Sequence, residues 1–109
     1  ACIVYKNEIV AFGMNKRKSH PFQRKFSKNE DAIYLHAEND AIKNALRVLT
    51  LKQLSKSTLY VARMRHDPVN GKDVIQGIAK PCSGCMRAIA NFDIKKVVYT
   101  ENNNGYSFL

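Results

Sequence analysis

This sequence predicts an α/β fold in one domain covering residues 1–109. Three observations carry that expectation. Short β-type runs are separated by two longer stretches whose apolar residues recur at helical spacing. The length suits one domain, which commonly holds ~100–150 residues. The last β-type run follows its predecessor after too few residues for a crossover, so those two strands should run antiparallel.

The elements follow in chain order. Cys2-Ile3-Val4-Tyr5 and Ile9-Val10-Ala11-Phe12 read as strands joined by a tight hairpin at Lys6-Asn7-Glu8, and Gly13-Met14-Asn15 ends the second. Residues 16–29, KRKSHPFQRKFSKN, read as a loop. Ala37, Ala41, Ile42, Ala45, Leu46 and Leu49 trace the buried face of a first helix. Glu30 and Asp31 suit its entrance, where negative charge is favoured. Residues 51–57 read as a connector and Thr58–Ala62 as a third strand, with Arg63 and Arg65 alternating along it. Residues 66–77, HDPVNGKDVIQG, carry Pro and two Gly and read as a long loop. Cys82, Cys85, Met86, Ile89 and Ala90 share one face of a second helix. Lys95–Thr100 is a fourth strand, Glu101–Gly105 is turn chemistry, and Tyr106–Leu109 is the antiparallel fifth strand.

Charge narrows the partners. Lys plus Arg is 18 and Asp plus Glu is 9, a net of +9, which points to an anionic partner such as nucleic acid or nucleotide. The plainer reading is a basic, solvated surface. No apolar run reaches the ~18 residues of a membrane span, so no membrane partner is expected. No basic segment precedes an apolar run at the start, so the expected compartment is a reducing cytoplasm. A Cys82–Cys85 disulfide is then not the staple of the fold.

The paired cysteines raise a metal instead. Cys82 and Cys85 stand on consecutive turns at a helix N-terminus, where free N–H groups and the helix dipole favour thiolate. Two thiolates at that spacing suit zinc. Cys2, the remaining cysteine, sits mid-strand and reads as a small buried hydrophobe. Of His20, His36 and His66, His36 stands out because it opens the first helix in "LHAEND". Three protein ligands leave one tetrahedral position for water, the mark of a catalytic site. Zinc lowers the pKa of such a water toward ~7. Glu38 lies two residues past His36, ~200° around a regular helix. Both reach one point if His36 occupies the irregular first turn, which makes Glu38 a proton shuttle rather than a fourth ligand.

Together these residues give His36-Ala37-Glu38 … Pro81-Cys82-Ser83-Gly84-Cys85, which matches the zinc deaminase signature H-x-E…P-C-x-x-C. On those motifs the chain resembles the cytidine deaminase superfamily over most of its length. "AIYLHAENDAIKNAL" and "AKPCSGCMRAIANFDIKKVVYT" are also similar to small phage proteins of the deoxycytidylate deaminase-like group. The resemblance implies a mixed five-stranded sheet with helices packed on it. It implies one catalytic zinc on His36, Cys82 and Cys85, with Glu38 shuttling protons. By the same resemblance Asn15 holds the sugar, the Ala37 N–H holds the base carbonyl, and the setting is a bacterial or phage-infected cell.

The substrate is expected to be cytosine in single-stranded DNA or RNA, converted to uracil. Lys16, Arg17, Lys18, Arg24, Lys25 and Lys28 crowd residues 16–29 with no acidic neighbour, and Phe22 and Phe26 sit among them. Rings stack on bases and cations pair with phosphates. The alternative packs both rings inward and leaves the charges solvated. Candidate substrate contacts are therefore Phe22, Phe26, Arg24, Lys25 and His20. His20 and His66 stand either at the pocket mouth or as plain loop histidines. A free deoxycytidylate substrate is the second reading, since relatives with His in place of Cys at this ligand include deoxycytidylate deaminases. Adenine in nucleic acid is the third. A structural zinc in a nucleic-acid-binding module is the non-enzymatic rival; it needs a fourth ligand such as Cys2 or His20.

Overall fold

The structure, a computed structural model, describes residues 1–16, 20–26, 35–69, 71, 74–102 and 104–109. Strands β1 (Cys2–Tyr5) and β2 (Glu8–Phe12) pair antiparallel. Lys6 and Asn7 between them both take positive φ, 49° and 65°, the left-handed pair that lets a two-residue turn follow the twist of a hairpin. Strands β3 (Thr58–Val61), β6 (Lys96–Thr100) and β7 (Tyr106–Phe108) complete a mixed five-stranded sheet in the order β2-β1-β3-β6-β7. Only β3 and β6 run parallel, and the short link from β6 to β7 gives the antiparallel last strand that its length requires.

Helices α2 (Ala37–Ala45) and α4 (Ser83–Asn91) lie on one face of this sheet. Alternation along the strands turns Ile3, Ala11, Leu59, Val61, Val97 and Tyr99 toward them. Ala41, Ile42, Ala45, Ala88 and Ile89 close the core from the helix side. On the opposite face Phe12, Cys2, Tyr60, Val98 and Phe108 stand in register across all five strands.

Five expectations change. Residues 16–29 are not all loop: Pro21–Phe26 form a short helix, α1. The Phe26 ring belongs to the core and offers no open face to a base; Phe22 packs beside it and stacks on Phe92, with centroids 5.9 Å apart and planes 6° from parallel. The inward-packing alternative holds because three rings bury more apolar area together than alone. Residues 51–55 are a helix, α3, held by a capping box in which Thr50 Oγ1 accepts from the Gln53 N–H while Gln53 Oε1 accepts from the Thr50 N–H. Residues 63–77 contain an antiparallel pair, β4 (Arg63–His66) and β5 (Val74–Gly77), so Arg63 and Arg65 stand on β4 rather than on the third strand. The first helix is shorter than the apolar rhythm suggests, ending at Ala45. Glu30, Asp31, Arg17, Lys18 and Lys28 lie outside the described residues.

Gly13 fixes how closely the hairpin approaches α2. A Cβ there would overlap the Ala37 carbonyl oxygen and the Ala41 backbone. Gly13→Ala is expected to destabilise the protein by about 1–3 kcal/mol or more, the usual cost of overpacking. Chemical denaturation reads this directly, and an unchanged midpoint would contradict the close approach.

Candidate metal centre

Two helix N-termini meet at the site. His36 is the N-cap of α2, with extended backbone (φ −81°, ψ 157°), and Cys82 is the N-cap of α4 (φ −70°, ψ 171°). Neither side chain caps its own helix, so both are free to turn toward a common point. The extended backbone at His36 is the irregular first turn that the His36–Glu38 spacing requires. Cys85 follows one turn into α4 and is fully buried, whereas Cys82 faces solvent.

His36 Nδ1 lies 3.3 Å from Cys82 Sγ and 3.4 Å from Cys85 Sγ. The three donor atoms all fall within 4.8 Å of one another. Zinc bonds of about 2.3 Å to sulfur and 2.0 Å to nitrogen, set tetrahedrally, put N and S about 3.5 Å apart, so the donor set fits zinc. No other His, Cys, Asp or Glu among the described residues joins the cluster. All three histidines and all three cysteines are described. Cys2 lies on the sheet instead, lining an apolar cavity of about 600 Å³ with Phe12, Tyr60 and Phe108. His20 Nδ1 accepts the Phe22 N–H, 3.0 Å away, at the start of α1. Neither candidate fourth ligand reaches the cluster.

Proton affinities in the cluster diverge. A hydrogen bond from the Cys85 thiol, followed by one from His36, holds Cys82 down at about 3. Cys85 is pushed far above the ordinary thiol range by that same bond to Cys82, by burial and by the nearby Glu38. His36 is raised above 6.5, chiefly by its hydrogen bond to Cys82, against burial. Zinc takes thiolates and neutral imidazole, so the protons on Cys85 and His36 compete with it. Apparent zinc affinity should therefore fall with pH by about tenfold per unit while one proton is displaced. The fall should steepen below the raised His36 pKa, where two are displaced. Chelator competition across the neutral range measures this slope; a flat profile would contradict it.

Glu38 is buried beside the cluster, close enough to bond the Cys85 thiol. A cavity of about 990 Å³ opens in front, lined by His36, Cys82, Glu38 and Ala37 and by Val61, Ala62 and Arg63, which run from the end of β3 into β4. Lys16 and Lys80 add to its lining. Asn15 lines it too, and its Oδ1 accepts the Ala37 N–H at 2.8 Å. The two groups expected to hold the sugar and the base thus meet each other. A substrate carbonyl reaches that N–H only by displacing the amide oxygen. The remaining expected contacts, His20, Phe22, Arg24, Lys25 and Phe26, do not line this cavity. Arg24 and Lys25 are exposed on α1, and Lys25 Nζ sits 5.6 Å from the Phe26 ring centroid. His66 is exposed on β4.

Sequence reasoning missed Asp40. It is buried one turn into α2, accepts the Met14 N–H at 3.1 Å and faces Lys16 and Lys43, each 3.4 Å away. Burial alone would raise its pKa; the Met14 N–H and the two ammonium groups outweigh this and hold the carboxyl below the usual range. Asp40 thereby fixes the segment that presents Asn15. Nothing in the local pattern distinguishes it from a surface helix acid.

Searches of curated proteins and of solved structures return no match to this chain. Two cysteines and a histidine at zinc spacing, beside a buried carboxylate, nevertheless agree with a family whose sequence model matches. That model is described as the cytidine and deoxycytidylate deaminase zinc-binding region. It covers residues 1–101, from before β1 to just past β6, and the chain belongs to that family.

Proposed function

We propose that the protein hydrolyses the amine from the cytosine ring of a free deoxycytidylate-type nucleotide. The zinc-dependent hydrolytic deaminase chemistry follows from the family and the metal centre. The choice of substrate is carried by one observation: the cavity that holds Glu38 also takes Lys16, Arg63 and Lys80 from three separate segments, a set suited to a phosphate. The family description names cytidine and deoxycytidylate, and a basic set suits the one of the two that carries a phosphate.

Zinc, when bound, makes hydroxide available at neutral pH. Glu38 takes the proton shed by the water and passes it to the ring nitrogen as the C–O bond forms. It then carries the remaining proton from the new hydroxyl to the amine, and ammonia leaves as the C–N bond breaks and the C=O bond forms. Glu38 is buried at the start of α2 and lines the same cavity as the metal ligands His36 and Cys82.

The net charge of +9 and the cavity volume of about 990 Å³ favour a second reading, cytosine in a single strand. Its aromatic support is weaker than the sequence suggests, because Phe26 is in the core. One assay separates the two. Zinc-loaded protein is offered deoxycytidylate and a cytosine-containing oligonucleotide side by side, and mass spectrometry follows the gain of about 1 Da that deamination produces. Conversion of the nucleotide alone is expected; faster conversion of the oligonucleotide would overturn this choice of substrate.

A further inference from the structure

We infer that Gln23 is a positioning residue for the metal centre, setting the backbone of His36 from the short helix α1. Its side chain is fully buried. A single oxygen, Oε1, accepts two hydrogen bonds: one from the His36 N–H at 3.2 Å and one from Asn39 Nδ2 at 2.7 Å. The first group belongs to a metal ligand. The second belongs to a fully buried residue one turn further along the same helix. An N-cap N–H has no partner within its own helix, so this bond has to come from elsewhere.

The far side of α1 is tied to the cysteine helix. Arg87, on α4, donates through Nε to the Phe26 carbonyl. Phe92, the C-cap of α4, packs against both Phe22 and Phe26. The segment therefore spans the two helices that supply the ligands, with Gln23 holding the histidine side. A zinc site tolerates distance errors of only about 0.2 Å. If the acceptor is lost, the His36 and Asn39 donors are buried unpaired, and the N-cap relaxes to find water or another partner. The inference rests on the metal centre and is independent of which cytosine compound is the substrate.

The test compares Gln23→Met, which keeps the length and packing but removes the acceptor, with Leu54→Val, which opens a small gap at a fully buried position on α3 and leaves α1 and its contacts alone. Thermal unfolding is recorded for each. Zinc affinity comes from chelator competition, and ligand geometry from the visible absorption of the cobalt(II)-substituted protein. Gln23→Met is expected to bind zinc about 10–100-fold more weakly, as for other changes behind a metal ligand, with shifted cobalt bands. Leu54→Val is expected to lower the melting temperature while leaving affinity within about threefold and the cobalt bands unmoved. Wild-type affinity and spectrum in Gln23→Met would overturn the inference, as would an equal loss in Leu54→Val. If Gln23→Met does not fold, Gln23→Glu decides. It keeps an acceptor oxygen, and affinity within about threefold of wild type supports the role. A tenfold or greater loss in that folded variant overturns it.

Discussion

Glu38→Ala leaves a folded protein that still binds one zinc, while its deamination rate falls by about 10²–10⁴-fold or more, the usual share of a general acid–base. Two parts of the structure separate the losses. The donor cluster consists of His36, Cys82 and Cys85, and Glu38 is not in it, so metal retention does not depend on the carboxylate. Its contact with the Cys85 thiol raises the proton affinity of that thiol, so its removal eases zinc binding if it changes it at all. The hydrolysis, by contrast, needs a group that accepts a proton from water and returns it to the ring and the amine. Glu38 is the acidic side chain that lines the cavity among the described residues. Metal analysis and steady-state rates on the same preparation check both halves.

Cys85→Ala has the second large effect, and on a different quantity. Zinc affinity is expected to fall by more than about 100-fold, beyond the range typical of changes behind the ligands. Cys85 is fully buried on the inner side of the cluster, where water cannot readily replace its sulfur. Deamination should disappear with the metal and should not return at ordinary zinc concentrations. The hydrophobic part of the substitution is mild, because alanine fills much of the same space beside Ala88 and Ile89. Isothermal titration with zinc reports the loss. Tight stoichiometric binding by this variant would show that the donor set has been misassigned.

Those two residues were legible in the sequence because their chemistry constrains spacing. A thiolate pair on one helix turn and a histidine–glutamate pair at a helix start can be read without a fold. So could the sheet. The antiparallel β7 follows from the length of the link before it, and the turn at Lys6-Asn7 from two short alternating runs. What escaped were elements whose stability comes from tertiary packing. The six residues of α1 carry a single i, i+4 apolar pair, Phe22 and Phe26, too short a run to stand as a helix alone, and they are held by Phe92 and Arg87 from elsewhere in the chain. Strands β4 and β5 are four residues each, flanked by Pro68 and Gly71, and their pairing is invisible locally. Helix α3 had a signal that was available: Thr50-Leu51-Lys52-Gln53 is a capping box in plain sight. Gln23 and Asp40 had none, since a polar residue becomes a brace only when the fold buries it.

The most direct measurement uses water labelled with oxygen-18. Zinc-loaded protein is incubated in it with deoxycytidylate and a cytosine-containing oligonucleotide together, with Glu38→Ala in parallel. The expected result is a uracil product carrying one labelled oxygen on the carbon that held the amine, one ammonia released per product, and almost no product from the variant. Product formed equally fast by Glu38→Ala, or no product from either cytosine compound with zinc in place, would contradict the assignment of this centre to hydrolytic deamination.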